Sequence, residues 1–336
     1  MLILTQKEVK KLIPLKEIKK VIDVVERAFF DYGRGKVQMP PKLYLNFKKF
    51  NGDLRIMPSF SETLEMVGTK LVNVHPGNSR LRRSFDGQKK IRLKTVMAVI
   101  VLNDPKTGLP LALMDGSYIT ALRTGAGGAV AAKYLAKKEA KSLGVVGAGV
   151  QALFQVLAIS KVRKLKEVVV YDIRKEAIKN LAKLLAKEKI KIKKGTLKEA
   201  CQKEIVSTTT PVKKPIVKKE WILPGTHINA VGADAQGKEE LEPDILKKAK
   251  VVVDCWDQTN HSGEINVPLA KGIISQKDIY GYLGEIVAGK KPGRKNEKEI
   301  TIFDSTGLAI QDLYTANLIY NLAKRKKLGR DINIFN

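Results

Sequence analysis

Cysteine, histidine and acidic side chains are scarce in this 336-residue sequence, and each shortage narrows the chemistry open to it. The two cysteines, Cys201 and Cys255, have no CxxC spacing and no accompanying histidine cluster, so they read as structural free thiols rather than redox or metal groups. The three histidines, His75, His227 and His261, lie far apart without ligand spacing, and no metal site is expected. Acids are outnumbered by bases, 34 to 62, for a net charge of +28. The lysines are spread over nearly every helical segment from Lys16 to Lys327, however, and do not gather in a block interleaved with aromatics. That pattern describes a solvated basic surface rather than a nucleic-acid site, though it still steers anionic ligands, most strongly at low salt. Long apolar runs are missing too. Val96 to Leu102 is far short of the roughly 20 residues that cross a bilayer, so no membrane span is expected. The opening MLILTQKEVKKLI lacks an apolar signal core and cleavage site, and it reads as the start of a mature, cytoplasmic protein.

What is present is a normal globular composition, 44% hydrophobic and 29% charged, on a chain long enough for two cores that share a cleft. Residues 1–35 read as an N-terminal helix, with Val21, Val24, Val25, Ala28 and Phe29 at helical spacing and Gly33 and Gly35 ending it. Short alternating segments follow: Tyr44 and Asn46, Leu54 to Met57, Val67 to Val74, Val96 to Leu102 and Leu109 to Met114. They predict an antiparallel sheet, with a hairpin turn at 103–108. From Tyr118 to Lys138, Ala121, Gly125, Ala129 and Ala132 share one helical face, as in a helix packed closely on another backbone. Strands then alternate with helices: Ser142 to Gly147, Glu167 to Asp172, Ile205 to Thr209, His227 to Val231, Val251 to Asp254 and Ile300 to Phe303. This alternation argues for a parallel, doubly wound sheet. The segment Asp312 to Leu328 predicts a last helix that packs back on the first half.

Gly147-Ala148-Gly149-Val150-Gln151-Ala152 matches G-x-G-x-x-G/A. A strand precedes it, an apolar helix follows it, and Asp172 closes the next strand at the distance expected of a ribose-binding acid. Gly147 suits the tight turn, and Gly149 suits close approach of backbone to a pyrophosphate. The N-terminal turn at Val150 and Gln151 would hold the phosphates. In Asp172-Ile173-Arg174 the carboxylate favours NAD by repelling a 2′-phosphate, while Arg174 leaves NADP open. Ligands of such sheets lie beyond the carboxyl ends of the strands. That position brings Thr209 and Thr210, Gly232, Ala233 and Asp234, and Ser305 to the cofactor edge. The fold class is therefore α/β: a Rossmann domain over 126–311 that binds NAD, beside an α+β substrate-binding and dimerisation domain with an antiparallel sheet, built from 1–125 and 312–336.

Four charged residues stand out as chemistry-bearing. Period-two alternation puts Lys70 on one face with Val72 and Val74, where an ammonium is costly and acquires the low pKa of a base; an edge lysine reaching solvent is the alternative. Arg55 and Arg123 each suit bidentate capture of a carboxylate, Arg123 more so because it lies among small residues. Asp234 follows a strand at the predicted cleft, where it suits proton relay, with helix capping as the competing reading.

The chain resembles the ornithine cyclodeaminase and mu-crystallin family, and within it the archaeal alanine dehydrogenase branch. The resemblance rests on Arg55-Ile56-Met57-Pro58, on Lys70 with 72–78, on Ala121-Leu122-Arg123-Thr124, on the glycine fingerprint, on 226–234 and on 303–307. It implies that Lys70 is the acid/base lysine and Asp234 the carboxylate handling water and protons. It also implies that Arg123 contacts substrate or cofactor, that Lys238 and Ser305 touch the dinucleotide, and that the chain is a homodimer. The chain departs from the cyclising members in having Arg55 where an acid would hold a distal ammonium, which suits a small monoamino acid. It departs again at Ala235-Gln236, where relatives more often carry proline. The resemblance implies NAD-dependent oxidative deamination of L-alanine to pyruvate and ammonia. Ornithine cyclodeamination, cyclic imine reduction and a crystallin-like binding role are the rivals.

Overall fold

A computed structural model describes residues 1–80, 82–83 and 91–335. Among the described residues two large sheets dominate. The first has eight strands, in the order Arg330–Asp331, Leu2–Leu4, Pro110–Asp115, Val96–Asn103, Met66–Val74, Gly52–Ser61 and Val37–Gln38, with Leu43–Phe47 also paired to Gly52–Ser61. The long strands are antiparallel, while Leu2–Leu4 runs parallel to Pro110–Asp115. The second sheet is parallel, in the order Lys193–Lys194, Glu167–Tyr171, Ser142–Val146, Ile205–Thr208, His227–Ala230, Thr301–Asp304, Lys250–Val253 and Ile279–Tyr282. Helices cover both faces of it, so its central strands, with Val206 and Ile228 among their residues, are wholly buried.

The N-terminus differs from the single helix read over 1–35. Leu2–Leu4 is a strand, Thr5 caps helix Gln6–Leu12 with a reciprocal bond to Glu8, and Pro14 separates that helix from Ile18–Gly33. A three-residue alternation is too short to outweigh the helical spacing that follows it.

Helix Gly116–Leu135 packs on both sheets. It lies so close to helix Val150–Ile159 that a Cβ at Gly125 would come within 2.5 Å of the Phe154 carbonyl oxygen, and one at Gly128 would strike the Gln155 side chain. Helix Ala309–Lys326 returns to the first sheet, covering the face that carries Lys70. No helix among the described residues is long and apolar enough to cross a membrane.

Candidate active site

The carboxyl ends of the parallel strands and the inner face of the first sheet enclose a cleft of about 1110 Å³. At one end lies the glycine turn. Gly147 has φ +96°, which only glycine adopts readily, and a Cβ there would strike Thr210. Gly149 caps helix Val150–Ile159 from extended backbone, and a Cβ on it would meet nothing within 4 Å. The space beside it is open for a ligand, and the helix N-terminus offers its free N–H groups there. Asp172 Oδ2 accepts from the Ala148 N–H at 2.8 Å, and Oδ1 from the Arg174 N–H at 2.8 Å and Arg174 Nε at 3.3 Å. Burial pushes the Asp172 pKa up, but these donors outweigh it and hold the carboxyl below its ordinary value. Val150 and Ile173 are 69% and 84% exposed, an apolar surface that flanks the turn and suits the flat faces of an adenine.

At the other end lies a cluster of buried cations. Lys70 is 1% exposed on an interior strand, between Met57 and Ile100, which removes the edge-lysine alternative. Its Nζ donates to Asp312 Oδ2 at 2.5 Å. Burial lowers its pKa to about 7, helped by the neighbouring Arg123 charge and opposed by Asp312. Arg123 donates from Nε to Asp312 Oδ1 at 3.0 Å and from Nη1 to Gln311 Oε1 at 3.1 Å. Its guanidinium lies against Gly307, at φ +79°, where a Cβ would collide with it. Arg55 donates to both oxygens of Asp53, at 2.9 and 3.3 Å, and to Asp234 Oδ2 at 3.2 Å, with its guanidinium over the Tyr44 ring. The other Asp234 oxygen accepts from Lys238 at 2.6 Å. Burial raises the Asp234 pKa, but Lys238 and Arg55 prevail and lower it. Asp234 thus pairs with cations and does not cap a helix.

Buried acids brace the loops between these ends. Glu240 accepts from the Thr210 N–H at 2.7 Å and the Gly232 N–H at 3.0 Å. Asp254 accepts from the Thr306 and Gly307 N–H groups at 2.8 and 2.7 Å. Behind them burial pushes Asp304 up to about 8 and holds Glu264 well above its ordinary value, the charge of Glu240 adding to the effect there.

Of the residues singled out in the sequence, Arg55, Lys70, Arg123, Gly149, Val150, Gln151, Thr209, Thr210, Gly232, Asp234, Lys238 and Ser305 line the cleft. Asp172, Ile173 and Arg174 stand at its phosphate end beside Ala148, and Ala233 is buried in the loop ahead of Asp234. Two charged residues of the site, one lining the cleft and one buried behind it, escaped the sequence reading. Lys42 donates to the Thr306 carbonyl at 2.6 Å, and burial lowers its pKa to about 8; in a Pro-Pro-Lys loop it has no periodicity to betray it. Asp312 appeared only as a helix start. Its signal was there, since it shares the buried face of its helix with Ala316, Ile319 and Ala323.

An open helix N-terminus at a glycine turn, with an acid closing the following strand, defines a dinucleotide-binding protein of the Rossmann class, here with a basic reaction chamber at the far end of the same cleft. The chain belongs to the ornithine cyclodeaminase/mu-crystallin family, whose pattern it matches over residues 1–327. It is 48% identical over 334 residues to the alanine dehydrogenase of Archaeoglobus fulgidus, covering 99% of this chain and 98% of that one. An archaeal alanine dehydrogenase dimer solved with bound NAD superposes with a TM-score of 0.92, at 48% identity over 100% of this chain and 99% of the other. The Thermococcus litoralis Δ1-pyrroline-2-carboxylate reductase, solved with NADH and L-proline, gives 0.91 at 42% identity, covering 99% and 100%.

Proposed function

We propose that this protein is an NAD-dependent amino-acid dehydrogenase that deaminates L-alanine to pyruvate and ammonia and runs in reverse as a reductive amination. The observation that carries this reading is the buried Lys70 ammonium, facing the cleft with a pKa near neutrality, in the same cavity as a dinucleotide turn. The open space beside Gly149, the donors around Asp172 and the exposed Ile173 fit NAD, and relatives solved with NAD or NADH support the same cofactor. When bound, NAD supplies the acceptor for the hydride leaving the substrate Cα.

The chain's own residues supply the rest. Arg123 and Lys42 hold the substrate carboxylate, two cations on one anion in a desolvated site. Met57, Val72 and Val74 make the apolar wall that receives a methyl group. Lys70 takes the proton from the amino nitrogen as the carbon–nitrogen bond becomes an imine. Asp234, oriented by Arg55 and Lys238, accepts a proton from the water that attacks the imine carbon. Lys70 then returns a proton to the departing nitrogen. Alanine, NAD⁺ and water give pyruvate, ammonium, NADH and a proton. Among the described residues, Asp234 is the acid beside these cations that lines the cleft, and it is already paired twice, so it offers no free carboxylate to the distal ammonium of ornithine.

Reduction of a cyclic imine is the second reading, favoured by the likeness to the pyrroline-carboxylate reductase and by the same apolar wall. The deciding assay follows NADH absorbance with NAD and L-alanine, L-proline or L-ornithine. NADH from alanine supports the dehydrogenase. NADH from proline alone transfers the proposal to imine reduction, and proline formed from ornithine without net NADH overturns both.

The reading includes a homodimer through the first sheet. Leu43, Ile56, Leu71 and Val99 lie side by side across four strands on the face away from Lys70, with Leu43 51% and Val99 41% exposed. Such an apolar sheet face is what a second sheet stacks on. The relative solved as a dimer supports this. Light scattering is expected to give twice the chain mass, and the double variant Leu43→Asp, Val99→Asp is expected to run as a monomer. A variant that stays dimeric counts against this face.

A further inference from the structure

We propose that Asp312 is a positioning residue of this chemistry: its carboxylate fixes the Lys70 nitrogen and the Arg123 guanidinium to one point and supplies the counter-charge that lets Lys70 hold a proton. The proposal rests on the reading of Lys70 as the acid/base group and adds to it the residue that sets when that group is charged.

The geometry is specific. One carboxylate oxygen faces Lys70 at 2.5 Å and the other faces Arg123 at 3.0 Å, and all three side chains are 7% exposed or less. Asp312 stands in the first turn of the 18-residue helix Ala309–Lys326, where the unpaired N–H groups and the helix dipole favour a negative charge. Among the described residues, the charged groups that face the Lys70 nitrogen are Arg123 from helix Gly116–Leu135, Asp312 from its own helix, and Lys42 from the loop ahead of Leu43–Phe47. The residues paired with Lys70 on the flanking strands, Met57 and Ile100, are uncharged. Two cations and one anion therefore surround the amine.

Their signs decide the outcome. With Lys70 neutral, Asp312 and Arg123 cancel. With Lys70 protonated, the buried trio carries one net positive charge, and without Asp312 it would carry two. In that state Lys70 would give up its proton at lower pH and fail as the acid that returns a proton to nitrogen. An opposite charge at hydrogen-bonding distance moves a pKa by about one to three units, so Asp312 decides whether Lys70 titrates near neutrality or well below it. The same carboxylate also ties the Arg123 head to the amine, so a substrate carboxylate held by Arg123 has its amino group presented to Lys70.

The test reads Lys70 directly. In competitive labelling with acetic anhydride on the protein without cofactor, the Lys70 peptide is followed by mass spectrometry across pH 5 to 10, in the native protein and in Asp312→Asn. The pKa in the variant is expected to fall by about one unit or more, and the acidic limb of its deamination profile to fall with it. Asp312→Glu, which keeps the charge, is expected to restore both. NADH binding read by fluorescence confirms that each variant is folded, and Asp312→Ser replaces the amide if that one is not. An unshifted Lys70 in a folded, charge-neutral variant overturns the proposal. A labelling pKa that shifts while the rate profile stays in place leaves Asp312 in its role and instead overturns Lys70 as the acid/base group.

Discussion

Replacing Lys70 by alanine is expected to lower the turnover of alanine deamination by on the order of 10²- to 10⁴-fold, the usual worth of a general acid–base group, with NADH affinity unchanged. The size follows from the site. Among the described residues of the cleft wall, the amine is the titratable group that burial brings to about 7, where it both accepts and returns a proton at neutral pH. The native enzyme should therefore show a rate that rises with pH through about 7 in the deaminating direction, because below that value the nitrogen already holds its proton. In the alanine variant this limb should vanish. Lys70→Met keeps the side-chain volume without the charge, so its thermal stability separates loss of chemistry from loss of packing. A Lys70→Met protein that melts as the native one does but keeps the native rate removes Lys70 from the mechanism.

Changing Asp172 to serine is expected to weaken NADH binding by roughly 10- to 100-fold, since a hydrogen bond to a charged acceptor is worth about 1.5–3 kcal/mol. NADPH binding should strengthen relative to it. The carboxylate stays ionised despite partial burial, because the Ala148 and Arg174 N–H groups donate to it. An ionised acid there repels a 2′-phosphate. Without it Arg174, whose side chain is 69% exposed and bound to Asp172, is released to pair with that phosphate. Fluorescence titration with both reduced nucleotides measures the change, and unaltered discrimination would remove Asp172 from the ribose.

The six inner strands of the parallel half were legible in the sequence because they are largely buried and punctuated by glycine, threonine and aspartate at their carboxyl ends, whereas the edge strands Lys193–Lys194 and Ile279–Tyr282, more exposed, were not. The antiparallel half was legible through period-two alternation, which also exposed Lys70 as a charge on an apolar face. Leu2–Leu4 was not. Three residues carry too little pattern, and their partners are over a hundred positions away, in Pro110–Asp115 and Arg330–Asp331. Lys42 and Asp312 escaped for a related reason. What marks each is a partner distant in the chain, Thr306 for the first and Lys70 with Arg123 for the second, and local spacing does not encode such a meeting. Arg55 was legible as a guanidinium suited to a carboxylate, while its engagement by the chain's own Asp53 and Asp234 took the fold to reveal.

The glycine contact between helices Gly116–Leu135 and Val150–Ile159 has a bearing on how accurately the reaction can be aimed. One helix carries Arg123, and the other begins at the phosphate turn. With backbone resting on backbone at Gly125, no rotamer can take up slack between them. The span from the phosphate cradle to the carboxylate anchor is thereby gauged like a machinist's block, by hard surfaces in direct contact. Even one added methyl at Gly125 would throw the two ends of the cleft out of gauge, with no catalytic side chain touched.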